Sequence, residues 1–82
     1  MTQRYTKRDA ENAFTQFAHS FGFPTGDKDG DYYLEGSDGY RIEQISGNSG
    51  TSHPFGSARH TAREFCNMCW LAIDALYRKE SR

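Results

Sequence analysis

Basic side chains gather immediately before the last apolar segment of this 82-residue sequence. Arg59, His60 and Arg63 lie there among serine and threonine hydroxyls, in the stretch S-A-R-H-T-A-R. The N-terminus of a helix attracts phosphates through its free N–H groups and its dipole, and arginine, serine and threonine supply many contacts to the DNA backbone. The pattern therefore indicates a phosphate-binding patch. The alternative is ordinary solvated charge, with Arg63 paired to Glu43 or to an acidic loop.

A second candidate for binding is the segment just upstream, residues 47–59, with the sequence G-N-S-G-T-S-H-P-F-G-S-A-R. Its three glycines and one proline predict a long irregular loop without regular structure. Loops held on a rigid scaffold often carry recognition, so His53, Phe55 and Arg59 are the residues expected to contact a partner. Phe55 has a second interpretation, in which it anchors the loop onto the core.

Two cysteines three residues apart, Cys66 and Cys69, form a C-x-x-C motif. In redox proteins this motif lies at the N-terminus of a helix, where the dipole lowers the pKa of a thiol. Here it begins well after Thr61, the predicted helix cap. As half of a zinc site it would need two histidines, and the spacing of the histidines matches no common zinc module. We predict that both thiols pack in the core as small apolar groups.

Carboxylates are concentrated between residues 27 and 38, where the alternating Asp27, Asp29 and Asp31 are typical of a calcium-binding loop. A calcium loop that began at Asp27 would need glycine at its sixth position, and Tyr32 stands there. The sequence therefore predicts a solvated acidic loop, and we expect neither a metal nor another cofactor.

The composition excludes several classes of protein. The net charge is −1, so the chain as a whole is not a strongly basic nucleic-acid binder. No run approaches the 18 or so apolar residues that span a bilayer, and the first ten residues contain no apolar signal segment, so the protein is predicted to be cytoplasmic. A catalytic serine motif is missing as well, and a small core has few ways to hold a catalytic site rigidly. We therefore predict that the chain is not an enzyme.

The periodicity of apolar residues predicts two helices and a hairpin in one domain. Apolar residues recur at helical spacing over 7–21, after Thr6 as N-cap and before Gly22. Residues 31–35 and 40–45 read as strands joined by an Asp-Gly turn, with a bulge or strand end near Gln44. A capping box, Thr61 with Glu64, opens a core helix over 61–79. The predicted class is α+β, in the order α-β-β-α, with loose ends at residues 1–5 and 80–82.

The second predicted helix is apolar around more than one side. Apolar residues fill one face and extend beyond it, and they comprise Phe65, Cys66, Met68, Cys69, Trp70, Ala72, Ile73, Leu76 and Tyr77. A helix with so wide an apolar surface is buried on more than one side. This favours a homodimer through the second helix; the alternative is a monomer in which the hairpin and the first helix cover it all.

Two motifs together resemble a known group of proteins. The strand Y-R-I-E-Q-I-S, followed by S-H-P-F-G-S-A-R-H-T-A-R-E-F, is similar over residues 40–65 to small proteins encoded by actinobacterial phages and prophages. The resemblance implies a phage accessory protein that acts inside a bacterial host by binding host proteins or nucleic acid. It implies no particular site residues.

The sequence therefore predicts a non-enzymatic α+β domain that binds another macromolecule, a host or phage protein, through the 47–59 loop and the adjoining helix start. The alternative is a DNA-binding homodimer that contacts phosphates through the N-terminus of the second helix. The candidate binding residues are His53, Phe55, Arg59, His60 and Arg63.

Overall fold

A computed structural model of the protein describes residues 5–47 and 50–80. The elements follow in the order α1 (Lys7–Phe21), β1 (Tyr32–Glu35), β2 (Arg41–Ser46), β3 (Gly50–Ser52) and α2 (Ala62–Glu80). The three strands form one antiparallel sheet in the order β1-β2-β3, and the helices pack on each other. The predicted α+β class is confirmed. Within the described part of the chain, no helix has the length and apolar character needed to cross a membrane.

Local capping chemistry sets the bounds of α1, which is the predicted helix 7–21. The Thr6 hydroxyl accepts a hydrogen bond from the Asp9 N–H, and the Asp9 carboxylate accepts one from the Thr6 N–H, at 3.3 and 2.9 Å. These two bonds satisfy backbone donors that have no partner inside the helix. Gly22 ends the helix in a left-handed conformation. Spacings of three and four residues then put one apolar face in the core, with Ala10, Ala13, Phe14, Phe17 and Ala18 buried.

The predicted capping box also opens α2. The Thr61 N–H donates to the Glu64 carboxylate at 2.9 Å, and the Glu64 N–H donates to the Thr61 hydroxyl at 3.1 Å. The buried stripe of this helix is narrow and consists of Phe65, Cys66, Cys69 and Ile73. Trp70, which the wide apolar surface of this helix suggested would be buried, is 48% exposed. A helix that packs on one neighbouring helix and one face of a small sheet has only one side covered.

The sheet differs from the predicted hairpin in two ways. A third strand, β3, lies inside the segment predicted to be irregular and pairs with the end of β2, Ile45 opposite Thr51. The glycines predicted a loop, but a glycine at the end of a turn can also be the first residue of a strand. Of the bulge or strand end predicted near Gln44, the bulge does not occur in β2, because Gln44 lies in register with Tyr32; the strand ends two residues later, at Ser46. Two neighbouring strands hold this part of β2 extended.

One face of the sheet covers the helices and completes the core. Tyr32 and Leu34 on β1 and Ile42 on β2 lie on this face, and Tyr40 packs beside them. Tyr5, which the sequence assigned to a loose end, also packs against this core, and α2 continues through residue 80. Residues 1–4 and 81–82 of the predicted ends lie outside the described part of the chain. Because side chains alternate along a strand, the intervening residues of β1 and β2 point to the opposite face of the sheet.

Candidate functional site

A buried carboxylate lies on the sheet face that points away from the helices. Glu43, on the central strand, is only 4% exposed. Its carboxylate accepts a hydrogen bond from the Tyr33 hydroxyl at 2.5 Å and one from Arg41 Nε at 2.7 Å. His53 Nε2, from the segment that follows β3, lies 3.3 Å from the same carboxylate. One acidic group thus joins the two longer strands to the predicted binding loop.

These contacts set the protonation states of the cluster. The hydrogen bond from Tyr33, followed by the contacts with Arg41 and His53, lowers the pKa of Glu43, although burial opposes the shift. The same bond raises the pKa of Tyr33 to about 12, because ionised tyrosine would lose the bond and face a negative charge. Glu43 is therefore charged at neutral pH, and Tyr33 stays a hydrogen-bond donor.

Three further contacts fasten the segment between β3 and α2. Arg41 Nη1 donates to the Ser57 carbonyl at 3.0 Å, and Arg59 forms an ion pair with Glu35. Tyr40 and His60 exchange two backbone hydrogen bonds, at 2.8 and 2.9 Å. The pKa of Glu35 falls to about 2, because Ser37 and then Arg59 hydrogen-bond its carboxylate. The segment predicted to be a long loop is therefore tied to the sheet at several points.

Between these ties, Phe55 projects towards the helices and forms one wall of an apolar groove. Its ring centroid lies 5.5 Å from that of Phe17 and 5.6 Å from that of Phe23. The groove has a volume of about 350 Å³. Its lining contains no charged side chain and consists of Phe17, Phe21, Phe23, Ile42, Phe55, Phe65, Met68, Cys69 and Ala72. Phe55 contacts the core, as its second interpretation predicts, and at 45% exposure it also faces solvent; its contact with a partner stays a prediction.

Two other cavities lie nearby. A small one of about 30 Å³ shares Ile42, Phe55, Phe65 and Met68 with the groove and adds polar walls, including Arg41 and His60. A larger one of about 360 Å³, between α1 and the turn that joins β1 to β2, is lined mainly by polar and charged side chains. Water can fill a polar cavity at little cost, whereas apolar surface exposed to water costs about 25 cal/mol per Å². The apolar groove is therefore the better candidate for a binding site.

The five residues predicted to bind a partner do not form one patch. His53 lies against Glu43, and Arg59 lies against Glu35. Phe55 and His60 line the same small cavity. Arg63 is exposed in the first turn of α2 and, among the described residues, forms no ion pair. The pairing of Arg63 with Glu43, which belonged to the alternative interpretation, does not form, because Arg41 occupies that carboxylate from the same strand.

The cysteines of the C-x-x-C motif lie in the core, as predicted. Cys66 and Cys69 are free thiols that are 1% and 3% exposed. Burial raises the pKa of both, to about 12 for Cys69. A protonated, buried thiol is a weak nucleophile at neutral pH. No group of three potential metal-ligating side chains occurs within residues 5–47 and 50–80.

Sequence reasoning missed the buried cluster and two walls of the groove. Arg41 and Glu43 are two apart on a strand, and this spacing places opposite charges on one face. This spacing could have predicted the charge pair from the sequence, but nothing in the sequence indicated that His53 would cover this face. Phe21 is the last residue of α1, and Phe23 follows its glycine cap. Phe21 and Phe23 line a groove only because the segment that contains Phe55 packs beside them.

No protein-family model, curated protein or solved structure matches this chain.

Proposed function

We propose that this protein is a non-enzymatic binding domain that recognises another protein by taking an apolar segment of it into the groove walled by Phe55. The observation that carries the proposal is the groove itself, an entirely apolar cleft of about 350 Å³ that is open to solvent. Phe21, Phe55 and Met68 are each more than one-third exposed on its walls. Ligand pockets in proteins are typically concave, mostly apolar and of about this volume or larger.

Burial of apolar side chains from the partner would provide the affinity. Fully burying one leucine- or phenylalanine-sized side chain contributes about 1.5–3 kcal/mol. A groove of this size accommodates one or two such side chains. Central aromatic or aliphatic anchors of this kind dominate the binding energy of many interfaces.

The ties on the 53–60 segment support the same function. Phe55 stands between His53, which contacts Glu43, and Arg59, which pairs with Glu35. A wall that is fastened before binding loses less conformational entropy when the partner arrives. The buried cluster on the sheet therefore acts as the support for the binding surface and keeps Phe55 in place.

The phage context belongs to the same proposal. The resemblance over residues 40–65 suggests an accessory protein that works in the cytoplasm of an infected or lysogenic bacterium, where its partner is a host or phage protein. A protein that binds one partner through a preformed groove fits that role and requires no catalytic step.

The alternative proposal, DNA binding through the start of α2, has one supporting observation. Arg63 is exposed there, next to a helix N-terminus. Arg59 is paired with Glu35, however, and Arg41 with Glu43, so two nearby cations are already neutralised. A binding isotherm on mixed-sequence duplex DNA at low and near-physiological salt separates the two proposals. Binding that falls steeply with salt and is lost in the Arg59→Ala/Arg63→Ala variant would favour DNA.

The experiment for the groove uses the purified protein as bait in an actinobacterial lysate, followed by calorimetry with the purified captured protein. Phe55→Ser and Phe21→Ser each remove one groove wall, and Trp70→Ser is the matched control that removes an exposed aromatic elsewhere. We expect each groove variant to weaken binding about tenfold or more, the equivalent of about 1.4 kcal/mol, and the control to bind normally. A captured protein that binds both groove variants as tightly as the wild type would refute the proposal.

A further inference from the structure

The outer side of α2 carries a second apolar surface that is separate from the buried stripe. Met68, Leu71 and Ala75 are exposed and follow one another at intervals of three and four residues, which places them on one side of a helix. Leu71 is 71% exposed, the highest value among the large apolar side chains that are exposed in the described part of the chain. We define Met68, Leu71 and Ala75 as the outer stripe.

A charge of opposite sign stands at each end of the outer stripe. Glu64 lies four residues before Met68, and Lys79 lies four residues after Ala75, both on the same side of the helix. Hydrogen bonds from Thr61 lower the pKa of Glu64, so this carboxylate is charged at neutral pH. Arg78 pairs with Asp74 of its own helix at 3.0 Å, whereas Lys79 has no ion pair among the described residues.

We propose that the outer stripe packs against the same stripe of a second copy of this chain, with the two α2 helices antiparallel. In this orientation Glu64 meets the partner's Lys79 at both ends of the contact, and two attractive pairs form. A parallel arrangement would place like charges opposite each other and is disfavoured. The sequence favoured a dimer through the second helix, and the outer stripe specifies the surface and the orientation.

The same two-fold axis also matches side-chain sizes along the contact. When Glu64 lies opposite the partner's Lys79, Met68 lies opposite the partner's Ala75, and Leu71 lies near the axis. A large side chain therefore faces a small one on both sides of the centre. Alternation of this kind at intervals of three and four residues is the pattern that packs two helices side by side.

The contact is small compared with a standard protein–protein interface. At about 1.5 Å rise per residue the 19 residues of α2 extend about 28 Å, and the helix is about 10 Å wide, so one side covers on the order of 300 Å². A standard interface buries about 800 Å² per partner. The dimer is therefore weak and reversible.

This proposal is independent of the groove proposal, although Met68 belongs to both surfaces. Phe21 and Phe55 are not part of the outer stripe, and Leu71 and Ala75 do not line the groove. Variants of these four residues therefore test the two surfaces separately. Trp70 lies roughly 130° around the helix from the middle of the outer stripe and serves as the control for both.

The first experiment is sedimentation equilibrium of the full chain between about 5 μM and 1 mM, concentrations at which a weak dimer would form. We expect the average mass to rise from one chain towards two in the wild type and in Trp70→Arg. Leu71→Arg should raise the dissociation constant at least about tenfold while circular dichroism stays unchanged, since Leu71 is exposed. A wild type that is monomeric at 1 mM, or a Leu71→Arg variant that dimerises normally, would overturn the proposal.

The second experiment tests the orientation with engineered cysteines, because the native thiols are buried and do not compete. A mixture of Met68→Cys and Ala75→Cys chains should form mixed disulfides under mild oxidation, and Met68→Cys alone should form few. Efficient self-crosslinking of Met68→Cys would instead indicate parallel helices and refute the antiparallel pairing. Lys79→Glu should weaken dimerisation in low salt, and an unchanged dissociation constant would refute the proposed end contacts.

Discussion

Replacing Glu43 with glutamine tests whether the buried carboxylate stabilises the sheet and the segment that contains Phe55. The substitution Glu43→Gln keeps the size of the side chain and one acceptor oxygen, and it removes the negative charge. Tyr33 would then donate to a neutral amide, and Arg41, with a side chain that is only 19% exposed, would lose its counter-charge.

The size of the effect follows from these two contacts. A hydrogen bond to a charged group contributes about 1.5–3 kcal/mol, compared with about 1 kcal/mol for a neutral one. Weakening the Tyr33 bond and the Arg41 pair together should lower the free energy of unfolding by about 2–3 kcal/mol. For a domain of this length the total free energy of unfolding is about 4–12 kcal/mol. A loss of about 2–3 kcal/mol should lower Tm by about 10–20 °C.

The assay is unfolding at pH 7 by urea and by heat, with circular dichroism as the signal. Glu11→Gln is the matched control, since it makes the same chemical change at an exposed position of α1, and it should shift stability by less than about 0.5 kcal/mol. Phe55 should also become more mobile in Glu43→Gln, because the contact between Glu43 and His53 weakens.

A series at lower pH adds a second, independent readout. The pKa of Glu43 is lower in the folded state than the value near 4.3 of an unfolded glutamate. Its contribution is therefore complete above about pH 4.3 and is lost as the pH falls through the folded-state pKa. The difference between the wild type and Glu43→Gln should shrink over this range. Unfolding curves that coincide at pH 7, or a difference that grows on acidification, would show that the carboxylate does not play this role.

Three other substitutions or treatments have defined outcomes. Thr61→Ala removes the acceptor for the Glu64 N–H and should cost about 1 kcal/mol in thermal unfolding; Thr61→Ser should cost little, and equal losses would contradict the capping role. The native thiols should resist a thiol-specific reagent at pH 8 and react after unfolding in urea, because burial raises the pKa of Cys69 to about 12; rapid reaction of the folded protein would contradict this. Gly39→Ala should destabilise the protein more than Gly30→Ala does, by about 1 kcal/mol or more. Both glycines have φ near +90°, but a Cβ at Gly39 would lie 3.0 Å from Arg59 Cβ, whereas a Cβ at Gly30 would meet nothing within 4 Å. Similar losses in urea titrations of the two variants would argue against the close contact.

Short-range chemistry accounts for the parts of the fold that the sequence predicted. The Thr6–Asp9 and Thr61–Glu64 pairs satisfy the free N–H groups of their own helices, so the helix starts can be read within four residues. The Asp-Gly turn and the alternation around it predicted the first two strands in the same way. These signals depend on neighbours along the chain and need no knowledge of distant contacts.

The candidate site depended on contacts between distant parts of the chain. The buried position of Glu43 requires His53 to fold back over the sheet, and the groove requires Phe55 to approach Phe17 and Phe23 from more than thirty residues away. Periodicity predicted that α2 has a wide apolar surface, but it could not say which stripe the sheet and α1 would cover.

The sequence alone thus determined the class and the two helices, because caps, turns and periodicity act over a few residues. The tertiary structure decided three further features: the third strand, the pairing of Arg59 with Glu35 and the exposure of Trp70 and Leu71. Each of these depends on which surfaces meet in space. Burial and charge pairing depend on which side chains the fold brings together, and the type of a side chain does not by itself specify its partner.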